Sequence, residues 1–196
     1  MKPASMRRSV TRFGGIFIDK GFDEVVIPSI WKEQTFTEKA GPELSKQMYN
    51  FPDKKGRAIC LIPEVTGVIQ EEWNRAWKFE EKKPCKIFYI QRCYRYERPQ
   101  KGRYREFTQA GVEILGGNLE ETSELAMSTL QECLNQFDID YEFKSIVQRG
   151  LNYYVDSGFE AEVSTLGAQK QIAGGGRYKE GIGWAIGVDR LLLSLS

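Results

Sequence analysis

Alternation of hydrophobic and polar residues is the main pattern in this chain, and it predicts more strands than helices. Two alternating stretches, at residues 86–96 and 106–115, enclose a turn that contains Pro99 and Gly102. Alternation on both sides of a turn is typical of a β-hairpin. The sequence therefore predicts a long hairpin in the middle of the chain.

Shorter alternating or apolar runs predict the other strands, and apolar residues at helical spacing predict four helices. The predicted strands are residues 22–27, 47–51, 57–62, 141–147, 153–155, 159–163, 169–173 and 183–187. The predicted helices are residues 5–20, 65–77, 118–137 and 188–195. Residues 31–45 look irregular, and residues 174–178 are expected to break the strand pattern. Because strands outnumber helices and are mostly joined as hairpins, we expect an α+β fold, an antiparallel β-sheet flanked by helices on one side.

The length of 196 residues and the hydrophobic content of 41% fit one domain with a substantial core. No second domain boundary or internal repeat is visible, so we expect residues 1–196 to form a single domain. The formal net charge of +1 predicts no general attraction to nucleic acid, although positive charge is concentrated locally. No apolar run is long enough for a membrane-spanning helix and no signal peptide is visible, so we expect a cytoplasmic protein without a membrane partner.

The residue types available for chemistry are restricted. The chain has no histidine, which removes the commonest metal ligand and the usual general base at neutral pH. Its four cysteines lack the C-x-x-C spacing of zinc sites, so we expect reduced thiols in strands and helices. Catalysis by this chain would depend on carboxylates, cationic side chains, tyrosines and a bound metal.

The turn of the central hairpin is rich in cationic residues, which are Arg95, Arg98, Lys101, Arg103 and Arg105. Side chains two apart on a strand share a face, so Arg103, Arg105 and Phe107 are expected on one side. Gln109 and Glu113 are expected to share a side as well. Such a surface suits a polyphosphate, a flat base and an ammonium group in a row. A solvated basic hairpin is the alternative interpretation of these residues alone.

Several separated segments resemble histidyl-tRNA synthetases, a class II family. The matching segments are residues 95–105 (RYERPQKGRYR) with Phe107, Gln109, Gly111 and Glu113, which resemble motif 2; residues 149–154 (RGLNYY), which resemble the family block R-G-L-D-Y-Y; residues 174–178 (GGGRY); and residues 183–191 (GWAIGVDRL), which resemble motif 3. Residues 21–28 are similar to motif 1. Met48, Tyr49, Pro63, Glu64 and Thr66 are similar to the family's amino-acid-binding segment.

The resemblance implies a class II catalytic core that activates histidine with ATP and Mg²⁺ to histidyl-adenylate. Transfer to tRNA would be a further step, and a homodimer through residues 22–28 is expected. The family's ATP-binding positions correspond to Arg95, Glu97, Arg103, Phe107 and Arg190. Its catalytic positions correspond to Arg95 and Arg149. Its amino-acid-binding positions correspond to Glu64, Thr66, Gln109, Glu113, Tyr153, Tyr154 and Tyr178, and no protein ligand for the metal is expected.

The roles implied for these residues agree with their chemistry. Arg95 would hold the α-phosphate and Arg103 the γ-phosphate, while Arg149 would place a cation near the reacting phosphorus. Phe107 and Arg190 would stack on the two faces of adenine. Glu64, Thr66 and Gln109 would bind the amino and carboxylate groups of the substrate. The imidazole would be recognised by Glu113, Tyr154 and Tyr178, since each ring nitrogen needs a hydrogen-bond partner.

The sequence also departs from this family. The long insertion between motif 2 and the R-G-L-D-Y-Y block is missing, and no anticodon-binding domain follows motif 3, so tRNA would be held weakly. Five positions differ from the usual residue: Ile62 for Arg, Val65 for Gly, Thr108 for His, Asn152 for Asp and Lys179 for Asp. Two alternatives therefore stay open, a non-catalytic regulatory protein that senses histidine and a ligase with an acceptor other than tRNA. Four arginines at phosphate-binding positions favour an enzyme, because their mutual repulsion needs an anion to offset it.

Overall fold

A computed structural model describes residues 3–39, 41–80, 84–147, 151, 153–155, 158–167 and 169–195. The helices are α1 (Pro3–Asp19), α2 (Gln34–Thr37), α3 (Pro42–Ser45), α4 (Thr66–Arg75), α5 (Leu119–Leu134) and α6 (Val188–Ser194). The strands are β1 (Asp23–Glu24), β2 (Ile30–Lys32), β3 (Tyr49–Pro52), β4 (Ala58–Leu61), β5 (Cys85–Tyr94), β6 (Glu106–Leu115), β7 (Glu142–Val147), β8 (Gly158–Glu162), β9 (Gln171–Tyr178) and β10 (Gly181–Gly187). Short 3₁₀ helices lie at Trp77–Phe79 and Ser164–Leu166.

Seven strands form the main sheet in the order β1-β5-β6-β10-β9-β8-β7. Strand β1 is parallel to β5, and every other pair in this sheet is antiparallel. Strands β2, β4 and β3 form a separate small antiparallel sheet. The predicted α+β class with a largely antiparallel sheet is confirmed.

One face of the main sheet packs on α1, α5 and α6. Alternate residues of β6, namely Ala110, Val112 and Ile114, are completely buried in this core. The Trp184 indole N–H of β10 donates to the Ala126 carbonyl of α5 at 2.8 Å, which ties this helix to the sheet. Removing so much apolar surface from water is the main stabilising contribution to such a layer.

The opposite face of the sheet is only partly covered. Helix α4 contributes Val68, Ile69 and Trp73 to a second buried cluster, which also contains Ile87 and Tyr89 of β5. The expectation that helices lie on one side is therefore wrong for α4, whose apolar stripe is buried against the second face. The remainder of this face is open, and it carries alternate residues of β6 that include Gln109 and Gly111.

The hairpin predicted in the middle of the chain is confirmed as β5–β6, and the strands predicted at 47–51 and 57–62 correspond to β3 and β4, which pair as a second hairpin. The helix predicted to start at Asn118 is also present. The Asn118 side chain accepts from the backbone N–H groups of Glu120 and Glu121 at 2.9 and 3.1 Å. Such a cap satisfies donors that have no partner inside the helix.

Three predictions of local structure are wrong. Residues 31–45 contain β2, α2 and α3, whose lengths of three or four residues are too short to show a period. Residues 153–155 form only an isolated bridge between Tyr154 and Tyr178. The glycines at 174–176 continue β9, because they leave room for large neighbours: a methyl group at Gly176 would lie 2.8 Å from the Tyr154 ring.

No helix within the described residues combines the length and the apolarity that crossing a bilayer requires.

Candidate active site

A cleft of about 390 Å³ opens on the face of the sheet opposite α1, α5 and α6. Its lining includes residues of α3, the segment before α4, the β5–β6 hairpin, β9, β10 and α6, together with Leu151, Tyr153 and Tyr154. The predicted site residues among the lining are Glu64, Thr66, Arg95, Glu97, Arg103, Phe107, Gln109, Tyr153, Tyr154 and Arg190. Segments that are far apart in sequence therefore converge on one cavity.

Small residues of β9 and β10 keep the floor of the cleft open. Strand β10 places Gly187 beside Gln109 of β6, Ala185 beside Gly111, and Gly183 beside Glu113. Because side chains alternate along a strand, all of these residues face the cleft side of the sheet. A methyl group on Gly183 would overlap the Glu113 carboxylate, so this buried acid depends on a glycine across the strand pair.

Three arginines gather at one end of the cleft. Arg95 Nε donates to the Pro63 carbonyl at 2.8 Å, and its guanidinium lies 5.3 Å from the centre of the Phe107 ring. Arg103 Nε pairs with Glu97 at 2.9 Å. Burial lowers the pKa of Arg190, and the charges of Arg103 and Arg95 lower it further. Cations that repel one another in a partly buried cleft form a site suited to a polyanion.

Arg190 is held in a defined orientation. Its Nε donates to the Gly102 carbonyl at 3.0 Å, and its Nη1 donates to the Gln171 carbonyl at 2.8 Å. The N–H groups of a guanidinium point outward in its plane. These two bonds therefore fix the orientation of the Arg190 guanidinium and do not occupy its flat faces. A flat ring can stack on such a face.

A buried carboxylate, Glu64, lies in the cleft before α4. The Gly67 N–H donates to its Oε1 at 2.9 Å, and the Tyr153 hydroxyl donates to its Oε2 at 3.3 Å. Burial raises the pKa of Glu64, whereas the hydrogen bond from Gly67 and the charge of Arg95 act in the opposite direction. Glu64 therefore offers a hydrogen-bond acceptor to a ligand. A cationic group on that ligand would reduce the free-energy cost of burying the charged carboxylate.

A second carboxylate, Glu113, is completely buried beneath the cleft. The Thr66 hydroxyl donates to its Oε1 at 2.6 Å, and the Tyr178 hydroxyl donates to its Oε2 at 2.7 Å. Burial raises the pKa of Glu113 to about 8, the nearby Glu64 adds to this effect, and the hydroxyl donors oppose it. Neither Glu113 nor Tyr178 is among the described residues that line the cleft.

The side chain of Gln109 on β6 is oriented by the thiol of Cys93 on β5. Cys93 donates to Gln109 Oε1 with an Sγ–Oε1 distance of 3.3 Å. Cys93 is completely buried, and burial raises the pKa of its thiol well above the ordinary value. The thiol therefore keeps its proton and acts as a donor, so the Gln109 amide presents its NH₂ group to the cleft.

Not every residue singled out from the sequence is placed at the cleft within the described part of the chain. Arg149 and Asn152 lie outside the described residues, so the predicted catalytic arginine has no described position. Arg105 is not among the described lining residues, because β6 begins at Glu106 and the period of two does not extend into the tip. Its guanidinium lies 4.5 Å from the centre of the Tyr96 ring instead.

Several residues that line the cleft were not predicted from the sequence, among them Tyr89, Glu160 and Asp189. Tyr89 lies above Gly111 with its hydroxyl 3.5 Å from Glu113 Oε1, and Glu160 and Asp189 line the cleft. Alternation along β5 places Tyr89 on the same face as Cys93, which is a signal that could have identified it. Glu160 and Asp189 carry no such local signal.

A family model for histidyl-tRNA synthetase matches residues 2–136. This match covers more than half of the chain. The chain belongs to the histidyl-tRNA synthetase family. The resemblance to this family is thereby confirmed.

The histidine–tRNA ligase of Methanosarcina acetivorans is 27% identical to this chain over 279 residues, with 88% of this chain and 67% of the relative aligned. Because 88% of 196 residues is about 172, about 107 of the 279 aligned positions have no counterpart in this chain. The synthetase family member described here is therefore shorter within the aligned region, and it spans about two-thirds of the length of this relative.

Two solved structures share the fold. Apo histidyl-tRNA synthetase of S. aureus has a TM-score of 0.79 and 22% identity, covering 96% of this chain and 65% of that one. A Bacillus halodurans protein described as an ATP phosphoribosyltransferase regulatory subunit/histidyl-tRNA synthetase has a TM-score of 0.82 and 14% identity, covering 98% and 79%. At such low identity these similarities show the class II synthetase fold and leave activity to be argued from the site.

Proposed function

We propose that this chain activates histidine with ATP. In this reaction a carboxylate oxygen of the amino acid attacks the α-phosphorus and forms a mixed anhydride, and the bond to the departing pyrophosphate breaks. The observation that carries the proposal is the arrangement of the cleft, with Arg95, Arg103 and Arg190 at one end and the buried carboxylate Glu64 in the same cavity.

The cationic end is proposed to bind the nucleotide. Arg95 would contact the α-phosphate, where negative charge is redistributed in the transition state. Arg103 would exchange its ion pair with Glu97 for the γ-phosphate. Adenine would lie between Phe107 and the exposed face of the Arg190 guanidinium, whose plane is already fixed by two backbone carbonyls.

The other end is proposed to bind the amino acid. Glu64 would accept from the ammonium group, and the NH₂ of Gln109 would donate to the carboxylate that attacks. Tyr154 and the buried pair Glu113 and Tyr178 would recognise the imidazole, which requires the substrate to reach the layer beneath the cleft. Arg149 keeps the role that the resemblance implies.

Mg²⁺ is proposed to enter with the phosphates. Within the described residues no group of three histidine, cysteine or acidic side chains could hold a metal ion. Mg²⁺ at nucleotide sites takes most of its ligands from phosphate oxygens and water, and Glu97 and Glu160 of the lining would supply single carboxylates. The ion would neutralise the leaving pyrophosphate.

The test is exchange of labelled pyrophosphate into ATP with each of the twenty amino acids. We expect exchange with histidine only, and about a 100-fold loss in Arg95→Ala, the effect of removing one preorganised charge. Arg57→Ala is the control, because Arg57 is 73% exposed and pairs with Asp53 in the β3–β4 turn. Binding of histidine without exchange for any amino acid would favour a histidine-sensing protein instead.

Transfer to tRNA is a separate proposal. It rests on the names of relatives such as the M. acetivorans ligase, which has internal segments that this chain lacks. After histidyl-adenylate has formed, addition of tRNA should yield charged tRNA slowly. Stable adenylate in the presence of tRNA would indicate an acceptor of another kind.

We also propose a homodimer through residues 22–28. Strand β1 lies at an edge of the main sheet, and Val26 just after it is 89% exposed. Sedimentation velocity should show a dimer that Val26→Arg converts to monomer, because burying an unpaired charge is costly. Ile146→Arg is the matched control, since Ile146 is 83% exposed on β7 at the opposite edge. A wild-type monomer would contradict the proposal.

A further inference from the structure

The two residues proposed to enclose adenine are connected through their sequence neighbours. Phe107 lies on β6 and Arg190 lies on α6. The next residue after Phe107, Thr108, donates its backbone N–H to Oδ2 of Asp189, the residue before Arg190, at 2.6 Å. One hydrogen bond thus joins the two elements directly beside the two groups that would contact the base.

The position of this bond follows from the end of the sheet. Pairing between β6 and β10 ends with Gln109 opposite Gly187, and the chain turns into α6 at Val188. The N–H of Thr108 therefore points to the side where β10 no longer offers a carbonyl. The Asp189 carboxylate supplies the missing acceptor, and bonds to a carboxylate are shorter and stronger than neutral ones.

Asp189 is well placed to hold this geometry. Only 9% of its surface is exposed, and burial raises its pKa while the bond from Thr108 opposes that shift. A buried carboxylate with a backbone donor resists displacement, because leaving either partner without a bond is costly. The side chain of Arg190 is held separately by the carbonyls of Gly102 and Gln171. The bond from Thr108 to Asp189 ties the start of α6 to β6.

We propose that Asp189 is a positioning residue that sets the width of the adenine slot between Phe107 and Arg190. This inference rests on the proposed function of the cleft. A base stacked between two flat groups makes a contact of about 3.5 Å on each face, and dispersion attraction falls steeply when such a gap widens. A small outward movement of α6 would therefore weaken adenine binding and leave the phosphate contacts of Arg95 and Arg103 in place.

Calorimetric titration of the full chain with ATP and, separately, with inorganic tripolyphosphate tests this inference. In Asp189→Ala we expect the Kd for ATP to rise about tenfold or more, with the Kd for tripolyphosphate changed by less than about twofold. Asp189→Asn keeps an oxygen acceptor for the Thr108 N–H and should recover most of the affinity for ATP. Glu106→Ala is the matched control, because Glu106 also neighbours Phe107 but is half exposed and pairs with Arg92.

Each outcome separates the positioning role from a general structural role. An equal loss of affinity for ATP and for tripolyphosphate in Asp189→Ala, or an unchanged affinity for ATP, would overturn the inference. If Asp189→Ala does not fold, Asp189→Asn still decides, since a weaker neutral acceptor should produce a smaller shift for ATP alone. If the wild-type chain binds neither ligand, the proposed function fails and the inference fails with it.

Discussion

Glu113 shows how the chemistry of this site depends on a residue that solvent does not reach. Its carboxylate is surrounded by the hydroxyls of Thr66, Tyr178 and Tyr89, the last at 3.5 Å. In its ionised form this group can accept about four hydrogen bonds, so one acceptor site would be left for a ligand donor. Glu113 is thus held ready for a polar group, and burial makes its charged form costly.

The raised pKa of Glu113 predicts a pH dependence of stability. Between the ordinary pKa of 4.5 and about 8, the folded state holds a proton that the unfolded state releases. The free energy of unfolding should therefore fall as pH rises through this range, by at most about 1.4 kcal/mol per pH unit. Urea titrations from pH 5 to 9 should show this decline, and Glu113→Gln should reduce it. In the control Glu142→Gln, which changes an exposed carboxylate of β7, the free energy of unfolding should decline with pH as it does in the wild type. Parallel curves for all three proteins would contradict the expectation.

At the residue scale the sequence was most informative where a residue matched a family motif. Motif positions led to Arg95, Phe107 and Arg190, and the structure brings them into one cleft. Asp189 was missed because its partner Thr108 is 81 residues away, and no local pattern encodes such a contact. Tyr89 was missed although alternation along β5 places it on the same face as Cys93. Cys93 was assigned to the core, and its bond to Gln109 emerged only from the pairing of β5 and β6.

At the scale of elements, the glycines of β9 and β10 determine whether the sheet can carry a buried acid. Gly183 lies opposite Glu113 in the β6–β10 pair. The period-two pattern predicted the bounds of β6 correctly, as Glu106–Leu115. In β9 three consecutive glycines give no alternation of apolar and polar side chains. Residues 174–176 were therefore not recognised as part of a strand.

Two glycine substitutions should have opposite effects on stability. Gly183→Ala should lower the free energy of unfolding by about 1–3 kcal/mol, because the added methyl group overlaps Glu113. Gly15→Ala should raise it by about 0.5–1 kcal/mol, because this position of α1 is exposed, nothing lies within 4 Å of the new methyl group, and alanine favours helix. Chemical denaturation of both variants measures the difference. A stabilised Gly183→Ala protein would show that Glu113 is not confined as described.

At the scale of the whole molecule, the central feature is the convergence of distant segments on one face of the sheet. Strand β10 inserts between β6 and β9, so residues near 110 and residues near 185 become direct neighbours. Alternation and spacing predicted the strands but not their order, because pairing across so many residues has no local signal. The resemblance to class II synthetases implied a class II catalytic core without giving the strand order, and the fold agrees with that core.

A crystal structure of the chain with ATP and histidine would test the proposed site. We expect adenine between Phe107 and Arg190, the α-phosphate at Arg95, and the histidine ammonium group at Glu64, all within the cleft opposite α1, α5 and α6. A nucleotide bound outside this cleft, or one whose phosphates lie away from Arg95, would contradict this expectation.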